Sequence, residues 1–141
     1  MSYSIGEVAQ KLNLSTSTLR YYDKEGLLPF VKRNSSGIRT FSDEDLKSLH
    51  IIECLKNTNM PIKDIKTFID WCSKGDSTLE ERYNMFIERR KIVEDQMANL
   101  KHTLETIDYK CWYYKTALDA GTEKIHKSIP SKDTIKNNAS A

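Results

Sequence analysis

The chain has no Cys-x-x-Cys pair, and its three cysteines, Cys54, Cys72 and Cys111, are an odd number spread along its length. That excludes a disulfide-framed secreted scaffold and fits a reducing compartment, so the cytoplasm is the expected location. No apolar run approaches the roughly 18 residues that a membrane span needs. The amino end also lacks a basic-then-apolar signal layout, and no membrane partner is expected. His50, His102 and His126 are scattered and no His/Asp constellation stands at nucleophile-plus-base spacing, so catalysis is not expected. There is no internal repeat. Glycine and proline are both absent between Gly75 and Gly121, which permits one long helix there.

What is present bounds the architecture. The length of 141 residues holds one small head plus an extended element, and a second full effector domain does not fit. With 38% hydrophobic and 30% charged residues the chain can bury a modest core and should fold. The overall charge of +2 is uneven. Residues 1–41 hold six Lys/Arg (Lys11, Arg20, Lys24, Lys32, Arg33, Arg39) against three acids (Glu7, Asp23, Glu25), hence +3; the remaining sixteen cations and seventeen acids give −1. A basic end on a near-neutral chain suits phosphate contact by one face.

Local signals divide the head. Ser4 and Glu7 form a capping box, with Tyr3 and Val8 placed as a hydrophobic staple and Ile5, Val8, Ala9 and Leu12 as one apolar face. Ser15 caps a second helix after a tight turn, which predicts a helix-turn-helix. On that helix Leu19, Tyr22 and Gly26 share a side with Ser15, whereas Ser17, Arg20, Tyr21 and Lys24 point away. Gly26-Leu27-Leu28-Pro29 ends it. Val31-Lys32-Arg33 and Ile38-Arg39-Thr40-Phe41, around Asn34-Ser35-Ser36-Gly37, predict a hairpin wing. Ser42 caps a third helix with acids in its first turn, and Pro61 opens a fourth that Lys74-Gly75-Asp76 breaks.

Thr78 and Glu81 have capping-box spacing at the head of the long segment, which would run about 42 residues and roughly 63 Å as one helix. Leu79, Tyr83, Phe86, Arg90, Val93, Met97, Leu100, Leu104, Ile107, Cys111, Tyr114 and Leu118 alternate at spacings of four and three, and Arg90 alone breaks the apolar character. Such a row calls for a partner helix, and Val93, Met97, Leu100, Leu104, Ile107, Cys111 and Tyr114 are its expected dimer seam. Residues 122–141 are polar and aperiodic and are expected to be a flexible tail. The domain reading is therefore a head over 1–75, a long helix over 76–121 and a tail over 122–141.

Several separated blocks occur in order: Ile5-Gly6-Glu7-Val8-Ala9, Ser15 through Asp23, Gly26 through Pro29, Gly37 through Phe41, and Asp45-Leu46. This pattern over about residues 3–72 resembles the mercury-resistance-regulator (MerR) family of transcriptional regulators. The resemblance implies an all-α-dominated fold: a winged helix-turn-helix head of four helices and a small hairpin, then a dimerisation helix in an antiparallel coiled coil. It implies double-stranded DNA as partner, bound by a homodimer at a pseudo-palindromic promoter whose spacer is remodelled for RNA polymerase. Ile38 and Phe41 stand where the family usually has tyrosine, which bears on the wing contacts.

The residues expected at DNA are Ser15, Thr16, Ser17, Thr18, Arg20, Tyr21, Tyr22, Lys24, Arg33, Gly37 and Arg39. Hydroxyls and amides at a helix start can bond phosphate or base edges, and an arginine can bond guanine or phosphate. Arg20 is the best single contact by this reasoning. For Tyr22 two readings stand: DNA contact, or a core ring with a polar tip.

No cofactor or metal is expected. Family members that sense metals pair cysteines near the end of the long helix, whereas Cys111 stands alone, and a soft metal needs at least two soft ligands. Cys54 within Glu53-Cys54-Leu55-Lys56, and Ile107 through Tyr114, resemble the aldehyde- and thiol-stress branch of the family. Cys54 is either a sensor thiol, with His50 and Lys56 as possible neighbours, or a buried packing residue. Cys72 and Cys111 are expected to pack. The alternatives are a small-molecule-responsive regulator without cysteine chemistry, Trp112-Tyr113-Tyr114 lining an effector pocket, or a coiled-coil adaptor.

Overall fold

A computed structural model describes residues 1–127. The elements run β1 (Ser2–Tyr3), α1 (Ile5–Leu12), α2 (Thr16–Lys24), β2 (Lys32–Arg33), β3 (Arg39–Ser42), α3 (Asp43–Asn57), α4 (Ile62–Ser73) and α5 (Leu79–Ala120). Short 3-10 turns lie at Gly75–Thr78 and Glu123–His126. The fold is helix-dominated with a small hairpin and a long C-terminal helix, as the sequence predicts. Among the described residues no helix is long and apolar enough to cross a membrane, and no three His, Cys, Asp or Glu side chains gather as metal ligands.

Capping fixes where the head helices begin. The Ser4/Glu7 box closes the start of α1. The Ser15 hydroxyl accepts from the Thr18 amide at 3.0 Å to start α2. Ser42 and Asp45 form a second reciprocal box at α3. The stops are left-handed residues: Asn13 (φ 54) after α1 and Asn59 (φ 66) after α3. After α2 it is Gly26 (φ 81), and the Leu27 amide then closes on the Tyr22 carbonyl at 2.9 Å. A side chain at Gly26 would be strained by that φ and would press on Lys66 Cε at 3.1 Å.

The amphipathic faces meet in one core. Val8, Leu19, Tyr22, Leu27, Leu49, Ile52 and Ile65 are fully buried, with Phe41 of β3 beside them. β3 is the middle strand of a three-stranded antiparallel sheet ordered β1-β3-β2. The wing pairs Lys32 with Thr40 and Arg33 with Arg39. β1 is an addition to the expected hairpin: Tyr3 pairs with Phe41 and Ser2 with Ser42. Two residues carry no strand pattern of their own, and the pairing holds them.

The head also reaches further than the expected boundary at residue 75. One compact unit spans Met1–Arg90, because Met85 packs on the core and Phe86 meets Phe68 edge to face at 5.4 Å. Thr78 does not cap α5 through Glu81. It is buried in the 3-10 turn and donates to the Trp71 carbonyl at 2.6 Å, with Arg82 Nε donating to its hydroxyl at 3.1 Å. Burial of the hydroxyl against a carbonyl overrides the local box.

The second unit starts at Lys91. Within it Met97 (65%), Leu100 (69%), Leu104 (55%), Ile107 (52%) and Tyr114 (55%) are exposed along the expected seam, as is Cys111, and Val93 is half-buried. The segment expected as a tail from residue 122 opens with structure. Thr122 caps the Glu123–His126 turn, and His126 stacks on Tyr113 at 4.1 Å with Nε2 3.1 Å from the Tyr113 carbonyl. The rest of that segment, 128–141, lies outside the described residues.

Candidate nucleic-acid interface

The start of α2 sits on a tight turn, so its first residues are held by caps. Ser15 Oγ and Thr18 Oγ1 are 2.8 Å apart, and Ser15 is committed to the Thr18 amide as well. These two hydroxyls bond each other within the cap. Thr16 is half-buried and its Oγ1 accepts from Arg20 Nη1 at 3.3 Å, one turn on. That bond steadies Arg20 on an otherwise open face and uses one of its five donors. Ser17, Arg20, Tyr21 and Lys24 are exposed together, Tyr21 at 48%. This side of α2 is polar, cationic and rich in donors, as the helical phase predicts.

Tyr22 departs from its place among the expected contact residues. It is fully buried, and its hydroxyl donates to Glu53 Oε1 of α3 at 2.6 Å. Burial first, and the bond to the Glu53 carboxylate second, push the phenol far above its ordinary range, so it stays a neutral donor. The Lys56 ammonium lies 5.2 Å from the ring centroid. Tyr22 therefore ties α2 to α3 from inside, and the reason lies in phase: the residue follows Leu19 onto the core side.

The wing turn is organised by Asn34. Its Oδ1 accepts from the Ser36 and Ile38 amides at 2.9 and 3.0 Å, and its main-chain amide donates to the Ile38 carbonyl at 2.8 Å. Gly37 has φ 77 with open space where a Cβ would stand. Bare backbone at that point allows close approach by a phosphate. Arg33 Nη1 donates to the Gly37 carbonyl at 2.8 Å.

Both wing arginines also meet a residue that sequence reasoning passed over. Arg39 Nε donates to Asp23 Oδ2 at 2.7 Å, and Arg33 Nη2 lies 3.6 Å from the same oxygen. One signal was present: an acid in the last turn of a basic helix is unfavourable against the helix dipole unless a cation meets it. Glu53 was missed too, and a contact across 31 positions gives no local sign.

All three thiols are exposed in the single chain, which overturns the buried reading for Cys54 and the packing expected of Cys72, whereas Cys111 is exposed on the expected dimer seam. Cys54 Sγ lies 3.8 Å from His50 Nε2, one turn back on α3. Lys56 is over Tyr22 instead. Cys72 edges an apolar cavity of about 540 Å³ whose walls include Phe30, Ile51, Phe68 and Ile69.

Comparison with known proteins agrees with this layout. Residues 3–70 match the family model described as MerR HTH family regulatory protein. The chain is 45% identical over 124 residues to an uncharacterized HTH-type transcriptional regulator of Haemophilus influenzae, covering 88% of this chain and 92% of that protein. Among solved structures it is similar to HiNmlR, a MerR family regulator lacking the sensor domain, bound to promoter DNA. That likeness has TM-score 0.83 and 45% identity, over 89% of this chain and 99% of the other. A MerR family transcriptional regulator from Bacillus thuringiensis is similar at TM-score 0.74 and 45% identity, over 79% and 97%.

Proposed function

The chain belongs to the MerR family of helix-turn-helix transcriptional regulators, and from that premise we propose that it is a cytoplasmic homodimer that binds a pseudo-palindromic promoter and remodels its spacer for RNA polymerase. It is a DNA-binding regulator and not an enzyme. The observation that carries the proposal is the donor-rich open face of α2, Ser17, Arg20, Tyr21 and Lys24, on a head whose fold is shared with a relative described as bound to promoter DNA.

In this reading α2 enters the major groove, Arg20 reads a base edge or grips phosphate, and Gly37 and Arg33 meet flanking phosphates. Lys24 and the helix-start residues Thr16 to Thr18 add backbone contacts. The exposed row from Met97 to Tyr114 supports pairing of two long helices in an antiparallel coiled coil, because a lone amphipathic rod leaves that apolar surface in water. Distortion of the spacer costs energy, which the phosphate contacts offset.

Binding to DNA from upstream of the chain's own gene, in excess bulk competitor, tests the proposal. A protected site is expected, with affinity falling steeply as salt rises because released counterions drive phosphate binding. Equal affinity for competitor and upstream DNA would remove the reading.

The signal reaches the head through Cys54. Its thiol is open to solvent beside His50, and the residue before it, Glu53, holds Tyr22 of α2. Alkylation or oxidation there would act one residue from the bond that seats the recognition helix. Cys54→Ser is expected to abolish the change in promoter output caused by a thiol-reactive aldehyde while leaving DNA binding intact. A response that survives Cys54→Ser would instead favour a non-covalent effector, for which the apolar cavity beside Cys72 offers room.

A further inference from the structure

We propose that Asp23 is a positioning residue of the DNA face: it clamps the wing to the recognition helix and sets the charge of the surface between them. The inference rests on the DNA-binding reading above and names a residue that reading does not use.

Asp23 lies in the final turn of α2, where the helix C-terminus is negative and a carboxylate is out of place unless matched by cations. It is matched twice, by residues from the two different strands of the wing. Arg39 of β3 gives a short charge-assisted bond at 2.7 Å, with both side chains largely shielded at 21% and 26% exposure. Arg33 of β2 reaches the same carboxylate oxygen at 3.6 Å from a more open position, 53% exposed. Arg33 also closes the wing turn by donating to the Gly37 carbonyl. One carboxylate therefore joins the helix that carries Arg20 to both strands and, through Arg33, to the turn.

Two consequences follow for recognition. Distance between the α2 face and the wing is fixed before DNA arrives, so the groove contact and the flanking phosphate contact are made in one register. The carboxylate also neutralises part of the guanidinium charge, which holds down attraction to DNA of any sequence. Loss of Asp23 should weaken selective binding while leaving unselective binding no weaker. A residue that merely stabilised the head would lower both.

The test uses the full chain and compares wild type, Asp23→Ala and Asp23→Glu by anisotropy, on upstream DNA and on bulk competitor. Amide hydrogen exchange of the wing is followed without DNA. For Asp23→Ala the ratio of selective to unselective affinity is expected to fall at least tenfold, with competitor binding unchanged or tighter. Exchange of the Gly37 and Ile38 amides should speed up by a similar factor while the melting temperature stays close to wild type. Asp23→Glu should restore most of the ratio. The proposal is overturned by an unchanged ratio, by unchanged wing exchange, or by parallel losses on both DNAs with a lowered melting temperature. A wild-type chain that shows no selectivity overturns the DNA reading itself, and this role with it, and is told apart because it appears in the unmutated protein.

Discussion

Leu100→Glu combined with Leu104→Glu is expected to leave the chain monomeric and to weaken operator binding by about 10²- to 10⁴-fold, the avidity that joining two heads supplies. Both leucines are mostly exposed in the single chain, at 69% and 55%, and neither belongs to the core of the head. The head should therefore keep its fold and its melting behaviour. In an antiparallel two-fold pair every substitution occurs twice, so four carboxylates would enter a seam that now holds only aliphatic side chains at those positions. Burying unpaired charge is costly enough to stop association. Lys101→Glu, between them in sequence and off the seam, should change little. Gel filtration and a binding titration on the same preparations check the outcome. Full operator affinity in the double variant would mean that the row does not join two chains.

The second large effect is expected from Arg20→Ala. A bidentate arginine contact to a base is worth about 1–3 kcal/mol of discrimination. Two heads lose it at once, hence about 2–6 kcal/mol for a dimer, roughly 30-fold to about 10⁴-fold in affinity. The stability cost should be small, since Arg20 is exposed and bonds a threonine on its own helix. Competition titrations on site and non-site DNA separate the two possible roles. A base-reading arginine loses affinity for the site far more than for competitor, whereas a phosphate-gripping one loses both in proportion and lowers the salt slope. Unchanged affinity for both DNAs would remove Arg20 from the interface.

Much of the head could be read from sequence because its boundaries are set by nearest neighbours along the chain. Ser4, Ser15 and Ser42 each bond an amide three residues on, and that spacing is visible without a fold. The turn chemistry of Asn34 to Gly37 is equally local. What escaped depends on contacts between distant segments. β1 exists because Tyr3 finds Phe41. Thr78 leaves its capping box because Trp71 offers a carbonyl in a buried place. The head extends to Arg90 because Met85 and Phe86 find the core laid down by α4.

The candidate interface shows the same division. Helical phase turned Ser17, Arg20, Tyr21 and Lys24 outward but left Tyr22 between DNA contact and core, which its burial and bond to Glu53 decide. Residue type suggested Arg33 and Arg39 as phosphate ligands, and they still carry the right charge. Their shared attachment to Asp23 adds a constraint across 10 and 16 positions that no periodicity encodes. The exposed state of Cys54 and Cys72 likewise reverses an expectation, since free cysteine is usually buried.

The central claim is that a self-associating rod presents the α2 face twice to one duplex. Sedimentation equilibrium of the chain on a single operator duplex tests it directly, and the account predicts two 16.3 kDa chains per duplex at every protein concentration that saturates the site. A saturated complex holding one chain per duplex would contradict it.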